Sequence, residues 1–403
     1  MHLRALSEMD QGTEETYLTI SRSAFYDLDT WIDKNGWAGY DPYDIRGQDW
    51  FLLFRGQSKL QKKTRSVLSL VEKAFDPLSI RKFLRIKKEI NPKGMGLLAS
   101  GYISAYKATK NEVYLHKATS ILNWLADNCS DNHSGKSWGY PFHWNSRIFI
   151  PKYTPSVVVT GVVGAAFLDY YELTGDEKFH LILNDIATFF MKSLNRPVND
   201  TSQVCFSYTP LDQFKVLNAS MFAAAFLARL SIYTDETKYA DLAIRAARYV
   251  ISEQRVDGGF NYWGSEENSV IDHYHTGFVL RNLDIVSVAT GSDFIIEPVK
   301  RGYDFYLKNL FSNGVPKRTP EQLYPIDIHS CAEAILCLNQ FQGRYGGKDY
   351  LEDVVRFTLT NMQHDDGWFI YQIVKKNNNE FKLNIPYMRW GQSWMILALA
   401  RLL

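Results

Sequence analysis

The sequence lacks an excess of charge of either sign, since its 403 residues include 45 Lys or Arg and 44 Asp or Glu. This balance excludes a highly charged disordered chain and a generally basic nucleic-acid-binding protein, so no nucleic-acid partner is expected. No run approaches the roughly eighteen uninterrupted apolar residues of a transmembrane helix. Residues 1–17 also lack the apolar segment that a secretory signal requires.

Cysteine is scarce. The four cysteines, Cys129, Cys205, Cys331 and Cys337, form no CxxC pair and show no zinc-site spacing. A reduced, cytoplasmic protein is the simplest interpretation of this usage. No cofactor and no metal are predicted.

Aromatic residues, by contrast, are abundant: 24 Phe, 24 Tyr and 10 Trp make up 14% of the chain. Large side chains of this kind fill the cores between helices. Tyr and Trp also offer flat faces with a polar group at the edge, which suit the binding of sugars.

The chain repeats a pattern of two helices. Small and apolar residues at helical spacing are followed by a short turn and a second, amphipathic helix. This pattern recurs in residues 101–128, 161–194, 219–254, 275–311 and 329–363. The starts of successive first helices, Thr160, Asn218, His275 and His329, lie 54 to 58 residues apart.

The two helices of each repeat differ in composition. The first carries small residues and few charges, which predicts an inner helix buried on all sides, and the second carries charge on one face, which predicts an outer helix. Residues 14–34 have the outer pattern and residues 390–403 have the inner one. Pairing these two ends predicts an all-α, single-domain (α/α)6 toroid over residues 1–403, with six inner and six outer helices; an open α-solenoid is the alternative.

One segment, residues 57–93, does not fit the repeat. It contains eleven Lys or Arg and three Asp or Glu, with apolar residues between the basic ones. We interpret it as a basic helical insertion. It either packs on the rim of the toroid or lies on a surface that contacts an anionic membrane or an anionic polymer.

The loops that lead from outer to inner helices predict a functional rim. Each carries aromatic residues, and most carry a charge or a histidine, whereas the turns at the opposite end are short and plain. These loops are residues 36–47, 136–147, 205–210, 257–263, 313–329, 366–372 and 384–394. A cleft lined by aromatic and polar side chains is expected at this end.

Carboxylates in these loops suggest glycoside hydrolysis, which needs one carboxyl group to protonate the leaving oxygen and a second to activate water. The candidates are Asp44, Asp272 and Asp327. Asp272 and Asp327 each precede an inner helix, so a helix N-cap is the alternative role for either of them.

Histidines favour different chemistry. His273, His275 and His329 are expected to come close together in the folded ring. With Tyr387 and Arg389 they could remove a proton beside a carboxylate while the arginine neutralises that carboxylate, as a uronate C5-epimerase or a polysaccharide lyase requires. A divalent metal held by these three histidines and Asp327 is an alternative, although the spacing is unspecific.

The predicted substrate-binding residues share a place in the rim loops or at the start of an inner helix. They are Tyr40, Tyr43, Arg46, Trp138, Tyr140, His143, Trp144, Asn218, Trp263, His273, Tyr274, Tyr387, Arg389, Trp390 and Gln392.

The toroid with its aromatic rim resembles the six-hairpin glycosidase-like superfamily. The segments GYDPYDIRG, DHYHTGFVL, YPIDIHS and IPYMRWGQSW resemble bacterial proteins encoded with capsule and exopolysaccharide biosynthesis enzymes. This resemblance implies a role in making or trimming a surface polysaccharide, in the cytoplasm or at the periphery of the inner membrane, and no catalytic residue is carried over from it. Residues 254–263 resemble the repeats of prenyltransferases and squalene cyclases, which we interpret as shared architecture.

Three functions follow from these observations. A carbohydrate-active enzyme comes first, with glycoside hydrolysis ahead of uronate epimerisation or elimination. Its substrate would be an oligo- or polysaccharide, acidic or lipid-linked. A non-catalytic glycan-binding or assembly protein comes second, and a terpenoid or metal-dependent enzyme third.

Overall fold

The computed structural model describes residues 16–54, 77–130, 133–234, 236–266 and 269–403. In these ranges the helices, in chain order, are α1 (Tyr17–Asn35), α2 (Pro77–Phe83), α3 (Pro92–Thr109), α4 (Glu112–Asp127), α5 (Val157–Thr174), α6 (His180–Lys192), α7 (Leu217–Leu230), α8 (Thr237–Ser252), α9 (His273–Thr290), α10 (Ile296–Asn309), α11 (Ile328–Tyr345), α12 (Lys348–Met362) and α13 (Ser393–Ala400). Short 3₁₀ turns occupy Asp49–Phe54, Glu177–Phe179, Ser231–Tyr233 and Asp293–Ile295, and a π-helical turn, Met388–Gln392, leads into α13.

Short strands lie in the loops between hairpins. They are β1 (Trp144–Asn145), β2 (Phe149–Ile150), β3 (Val198–Asn199), β4 (Val204–Cys205), β5 (Phe311–Ser312), β6 (Val315–Pro316), β7 (Ile326–Asp327), β8 (Gln372–Lys376) and β9 (Asn379–Leu383). The first six form three antiparallel pairs, and β7, β8 and β9 form one three-stranded antiparallel sheet. Seven of these strands have only two residues, which is too short to produce a visible alternation of polar and apolar residues, so they could not be predicted.

Two concentric rings of helices form the body of the protein. Helices α3, α5, α7, α9, α11 and α13 form the inner ring, in which each packs on the next and α13 packs back on α3. Helices α1, α4, α6, α8, α10 and α12 form the outer layer, and α1 contacts both α13 and α12. The first outer helix therefore pairs with the last inner helix, and the predicted (α/α)6 toroid is confirmed.

Small residues on the inner helices let their backbones approach closely. At Gly161 in α5, an added Cβ would lie 2.8 Å from the Cβ of Phe222 in α7, so a larger side chain would push the two helices apart. Helix α5 is long and apolar enough to cross a membrane by composition alone. However, 72% of it is buried inside the protein, as expected of a core helix.

Much of the basic segment, residues 55–76, lies outside the described residues. Its described part packs on the toroid: Ile80 and Ile86 are buried against Ile45, and Arg81 is buried in an ion pair with Asp44. These contacts agree with packing on the rim. The boundary of the insertion needs correction, because α3 begins at Pro92 and the last two residues assigned to the insertion belong to the inner ring.

Candidate functional site

The N-terminal ends of the inner helices surround a cavity of about 100 Å³, which we call the central cavity. It lies at the rim that the loop composition predicts. Its lining is Tyr43, Lys93, Tyr140, Phe142, Trp144, Val158, Tyr208, Asn218, Tyr262, Tyr274, His275, Phe278, His329, Arg389 and Trp390.

His275 is held in place by the carboxylate that caps its own helix. Asp272 accepts a hydrogen bond from the backbone N–H of His275 at 3.0 Å and a second from Nδ1 of its ring at 2.6 Å. The ring lies between Tyr262 and Tyr274, with centroid distances of 4.5 and 4.4 Å. Because Nδ1 is engaged, Nε2 is the ring nitrogen available for proton exchange.

His329 lies deeper in the same cavity. It is 1% exposed, and neither ring nitrogen has a hydrogen-bond partner in the part of the chain that the structure describes. Its ring stacks on Tyr274 at 4.5 Å and contacts Trp390 and Trp394 at 4.7 and 4.8 Å. Burial, and then the positive charges of Lys93 and Arg389, hold its pKa well below the ordinary value, so the ring is neutral at pH 7.

Lys93 also lines the central cavity, and it is the candidate residue that the sequence reasoning missed. It stands in the first turn of α3, is 4% exposed, and forms no ion pair with any described residue. Its ammonium nitrogen lies 5.3 and 5.7 Å from the ring centroids of Trp394 and Phe278. Burial, reinforced by the charge of Arg389, lowers the pKa of Lys93 to about 7. The available signal was a lysine among small residues in NPKGMGLL, where it was counted with the basic segment instead.

None of the described residues that line the central cavity is a carboxylate. The nearby carboxylates instead bind side chains that line it. Asp41 binds Nε and Nη2 of Arg389 at 2.6 and 2.7 Å. Asp327 accepts hydrogen bonds from Nε1 of Trp390 at 2.9 Å, from Gln372 at 2.6 Å and from the backbone of His329 at 2.9 Å. Burial raises the pKa of Asp327 to about 6.

Asp44 occupies a different cavity, also of about 100 Å³, which adjoins the first and shares Phe142 and Arg389 with it. There Asp44 accepts a hydrogen bond from Nε of Arg81 at 3.0 Å and lies 2.8 Å from Nη2 of the same guanidinium. Burial raises its pKa. Because both oxygens face Arg81, Asp44 is not placed beside the histidines of the central cavity.

The predicted substrate-binding residues divide by location. Those that line the central cavity are Tyr43, Tyr140, Trp144, Asn218, Tyr274, Arg389 and Trp390, and Tyr40 lines the adjoining cavity. Those that line neither cavity are Arg46, Trp138, His143, Trp263, His273, Tyr387 and Gln392.

Three of the remaining residues have structural partners that explain their position. Trp138 is 1% exposed and donates from Nε1 to the carbonyl of Leu125. Gln392 exchanges two hydrogen bonds with the backbone of Phe369. His273 is fully buried on the side of α9 away from the cavity, against Tyr306 and Phe311, and burial lowers its pKa to about 3. The expectation that His273 joins His275 and His329 is therefore wrong, since only the latter two line the central cavity.

A larger cavity, of about 670 Å³, opens at the opposite end of the toroid. Most of its charged residues are paired: Arg229 pairs with Asp169 and Glu172 at 2.7 and 2.8 Å, and Arg344 pairs with Asp284 at 2.6 Å. Among the described residues, no group of three or more His, Cys, Asp or Glu is placed to hold a metal ion. The buried histidine with two unpaired ring nitrogens, His329, lies at the smaller, central cavity.

Replacing Asp41 with asparagine should destabilise the protein strongly. Arg389 is 3% exposed, so the variant leaves a buried guanidinium without its anion, which costs about 3–5 kcal/mol of unfolding free energy. Urea denaturation of Asp41→Asn measures the loss. The matched control is Asp241→Asn, which breaks a surface pair with Arg245 and should cost under about 1 kcal/mol. Equal losses in the two variants would contradict the structural role of Asp41.

Comparison with known proteins identifies the fold. No protein-family model and no curated protein matches the sequence. A cellobiose 2-epimerase from Bacillus thermoamylovorans B4167 is 12% identical, with a TM-score of 0.59 over 77% of this chain and 87% of that chain. A D-mannose isomerase is 13% identical, with a TM-score of 0.58 over 77% of this chain and 86% of that chain.

A third solved structure is an inactive variant of an alpha-1,6-mannanase from Salegentibacter sp. HEL1_6 in complex with alpha-1,6-mannotriose. It is 13% identical, with a TM-score of 0.56 over 79% of this chain and 91% of that chain. The chain thus shares the (α/α)6 toroid fold with these solved structures. At these identities the likeness establishes the fold, and the activity has to be argued from the residues of the site.

Proposed function

We propose that the chain is a carbohydrate epimerase or isomerase in which His275 and His329 transfer a proton to and from a sugar carbon. One observation carries this proposal: the titratable side chains that line the central cavity are His, Lys, Tyr and Arg, whereas the neighbouring carboxylates Asp41, Asp272 and Asp327 bind cavity residues from behind. Such a lining suits general acid–base catalysis at carbon better than glycoside hydrolysis.

The two histidines have the arrangement that proton transfer requires. Both imidazoles contact the ring of Tyr274, so they flank a common space. One neutral imidazole takes the proton from a carbon next to a carbonyl or carboxylate group, and the electrons of the broken C–H bond move onto that group as an enolate. The other imidazole, which enters the reaction protonated, gives its proton to the opposite face of the same carbon and so forms the epimer. Arg389 and Lys93 stabilise the negative charge while it exists.

Proton NMR in heavy water tests the reaction, with wild-type protein and a panel of neutral and acidic oligosaccharides. We expect the signal of one carbon-bound ring proton to disappear as deuterium replaces it, and signals of the epimer to grow. A vinyl proton would indicate elimination and place the chain among lyases. New reducing-end anomeric signals would indicate hydrolysis and overturn the proposal, as would broadening of signals without any reaction.

Glycoside hydrolysis remains the second candidate because of Asp327. A carboxyl group with a pKa of about 6 is protonated often enough near neutrality to serve as a general acid. Against this, both of its oxygens accept hydrogen bonds from Gln372, Trp390 and the backbone. Asp327→Asn separates the two: loss of hydrolysis would support the second candidate, and retained C–H exchange would support the first.

The biological setting is also a proposal. The resemblance of the rim segments supports a role in bacterial surface-polysaccharide metabolism, on a lipid-linked or free glycan, in the cytoplasm or at the periphery of the inner membrane. Flotation with anionic vesicles tests the membrane contact through residues 57–93. Protein that stays at the bottom of the gradient at low salt would contradict it.

A further inference from the structure

The charge of Lys93 has no counterpart in the central cavity. The cavity holds a second cation, Arg389, whose charge Asp41 neutralises through two short hydrogen bonds. Asp41 and Glu333 act on Lys93 only at longer range, and Glu333 is itself paired with Arg281 at 2.9 Å. A buried cation without a partner is unfavourable, and proteins keep one mainly where a ligand supplies the opposite charge.

The surroundings of Lys93 also favour an anion. The inner helices present their N-terminal turns to this cavity, as the positions of Lys93, Val158, Asn218, His275 and His329 show. The positive ends of these helix dipoles therefore face the same space, and side chains such as Asn91 and Ser156 cap the first backbone N–H groups. No lining carboxylate among the described residues offsets this potential.

Unpaired polar atoms give a second, independent sign of a ligand. Oδ1 of Asn218, a residue 3% exposed, has no hydrogen-bond partner in the described part of the chain, and the same holds for both ring nitrogens of His329. Buried polar atoms are nearly always paired in folded proteins. Sugar hydroxyl groups can both donate and accept, and so can satisfy atoms of both kinds.

We propose that the central cavity binds an acidic sugar, a uronic acid or a glycan unit that contains one, and that its carboxylate pairs with Lys93 while a hydroxyl group donates to Asn218. This inference rests on the proposed epimerase or isomerase function and narrows its substrate class. The carboxylate then stands next to the reacting carbon: the C5–H bond breaks, its proton goes to an imidazole, and the electron pair moves onto the carboxylate, which Lys93 neutralises.

The test is an equilibrium binding experiment, in which a ligand-observed NMR titration measures the affinity. Methyl β-D-glucuronoside is compared with methyl β-D-glucoside, since the two differ only at C6, which is a carboxylate in the first and a hydroxymethyl group in the second. We expect wild-type protein to bind the acid at least about tenfold more tightly, as a charge-assisted hydrogen bond in a buried site allows. Lys93→Met should reduce this preference to near unity.

A matched variant separates this effect from general loss of positive charge. Lys152→Met removes a lysine of the adjoining cavity that is partly exposed and paired with Asp49, and it should keep the preference. Lys93→Gln provides a second, polar replacement should the methionine variant fold poorly. Equal affinity of wild-type protein for the two glycosides, or a preference that survives in both Lys93 variants, would overturn the inference.

The pH dependence gives a further readout. Binding of the acid should weaken from pH 6 to pH 9 in wild-type protein, because Lys93 loses its proton in that interval, and should stay level in Lys93→Met. The charged and titratable groups that face Lys93 are Arg389 and Asp41 of the rim, His329 and Glu333 of α11, and His275 of α9. All of these remain in the Lys93 variant, so a pH effect that persists there would assign the response to them and contradict the role of Lys93.

Failure of this inference and failure of the proposed function give different results. If the acid is preferred and the preference depends on Lys93, but no C–H exchange occurs in heavy water, the substrate class stands and the epimerase proposal falls. If exchange occurs on a neutral sugar and the acid is not preferred, the epimerase proposal stands and the acidic substrate class falls.

Discussion

Replacing His329 with asparagine should lower kcat/KM for C–H exchange by about 10²- to 10⁴-fold, the range found for removal of a general acid or base. The ring is neutral at pH 7, lines the cavity and has both nitrogens unpaired among the described residues, so either nitrogen is open to a bound substrate. Asparagine keeps a polar group of similar size but cannot carry the proton. The rate of deuterium incorporation, followed by NMR, gives the measurement.

His275→Asn should show a loss of similar size. The double variant should lose little more than either single one, because the two imidazoles act in one reaction and their effects are not additive. His116→Asn, on the exposed surface of α4, is the control for a histidine outside the cavity and should keep full activity. More than half of the wild-type rate in His329→Asn would contradict its role.

Asp272 serves as a positioning residue, since it holds Nδ1 of His275 and reaches no cavity itself. A purely structural cap would change stability alone when replaced. Asp272→Asn should in addition lower kcat for C–H exchange more than it changes KM, because an amide no longer fixes the tautomer and orientation of the imidazole.

Much of the fold could be predicted from the sequence because toroids repeat. The spacing of small residues identified the inner helices, and the charged faces identified the outer ones. The pairing of α1 with α13 followed from the unmatched patterns at the two ends of the chain. Short strands such as β3 and the path of the basic segment were not predictable, since neither has a periodicity that a single sequence reveals.

The location of the candidate cavity could be predicted from the sequence, whereas the residue types that line it could be predicted only in part. The aromatic loops identified the rim, and both His275 and His329 line its cavity. The pairing of Asp41 with Arg389 joins residues 348 positions apart, which no local pattern encodes. Without that contact, sequence reasoning could not tell that the carboxylates stand behind the cavity wall. For the same reason it placed hydrolysis ahead of proton transfer.

Lys93→Met should make the protein more stable while it removes recognition of the acid. Burial lowers the pKa of this lysine from 10.5 to about 7. The native state therefore disfavours the charged form, at a cost on the order of 4 kcal/mol near neutral pH. Methionine has nearly the same length and no charge, and it lies well against Phe278 and Trp394. Urea denaturation should show the variant to be more stable than wild type by an amount of this order.

The sign of the pH dependence identifies the cause. Below about pH 7 the lysine is charged in both states, so the advantage of the variant is largest there. Between about pH 7 and pH 10.5 the unfolded wild-type chain still binds a proton that the native state has lost, so wild-type stability gains about 1.4 kcal/mol per pH unit from this group. The difference between the two proteins should shrink accordingly as pH rises.

Lys107→Met is the matched control, because Lys107 is exposed near the other end of the same helix, α3. Its replacement should change the free energy of unfolding by less than about 0.5 kcal/mol at every pH. An advantage of Lys93→Met that did not vary with pH would point to packing instead of charge. A wild-type protein more stable than the variant at pH 6 would contradict the argument altogether. A residue that lowers the stability of the empty protein is retained because of what it binds. A variant that gains stability and loses recognition of the acid would therefore show that Lys93 serves ligand binding and not folding.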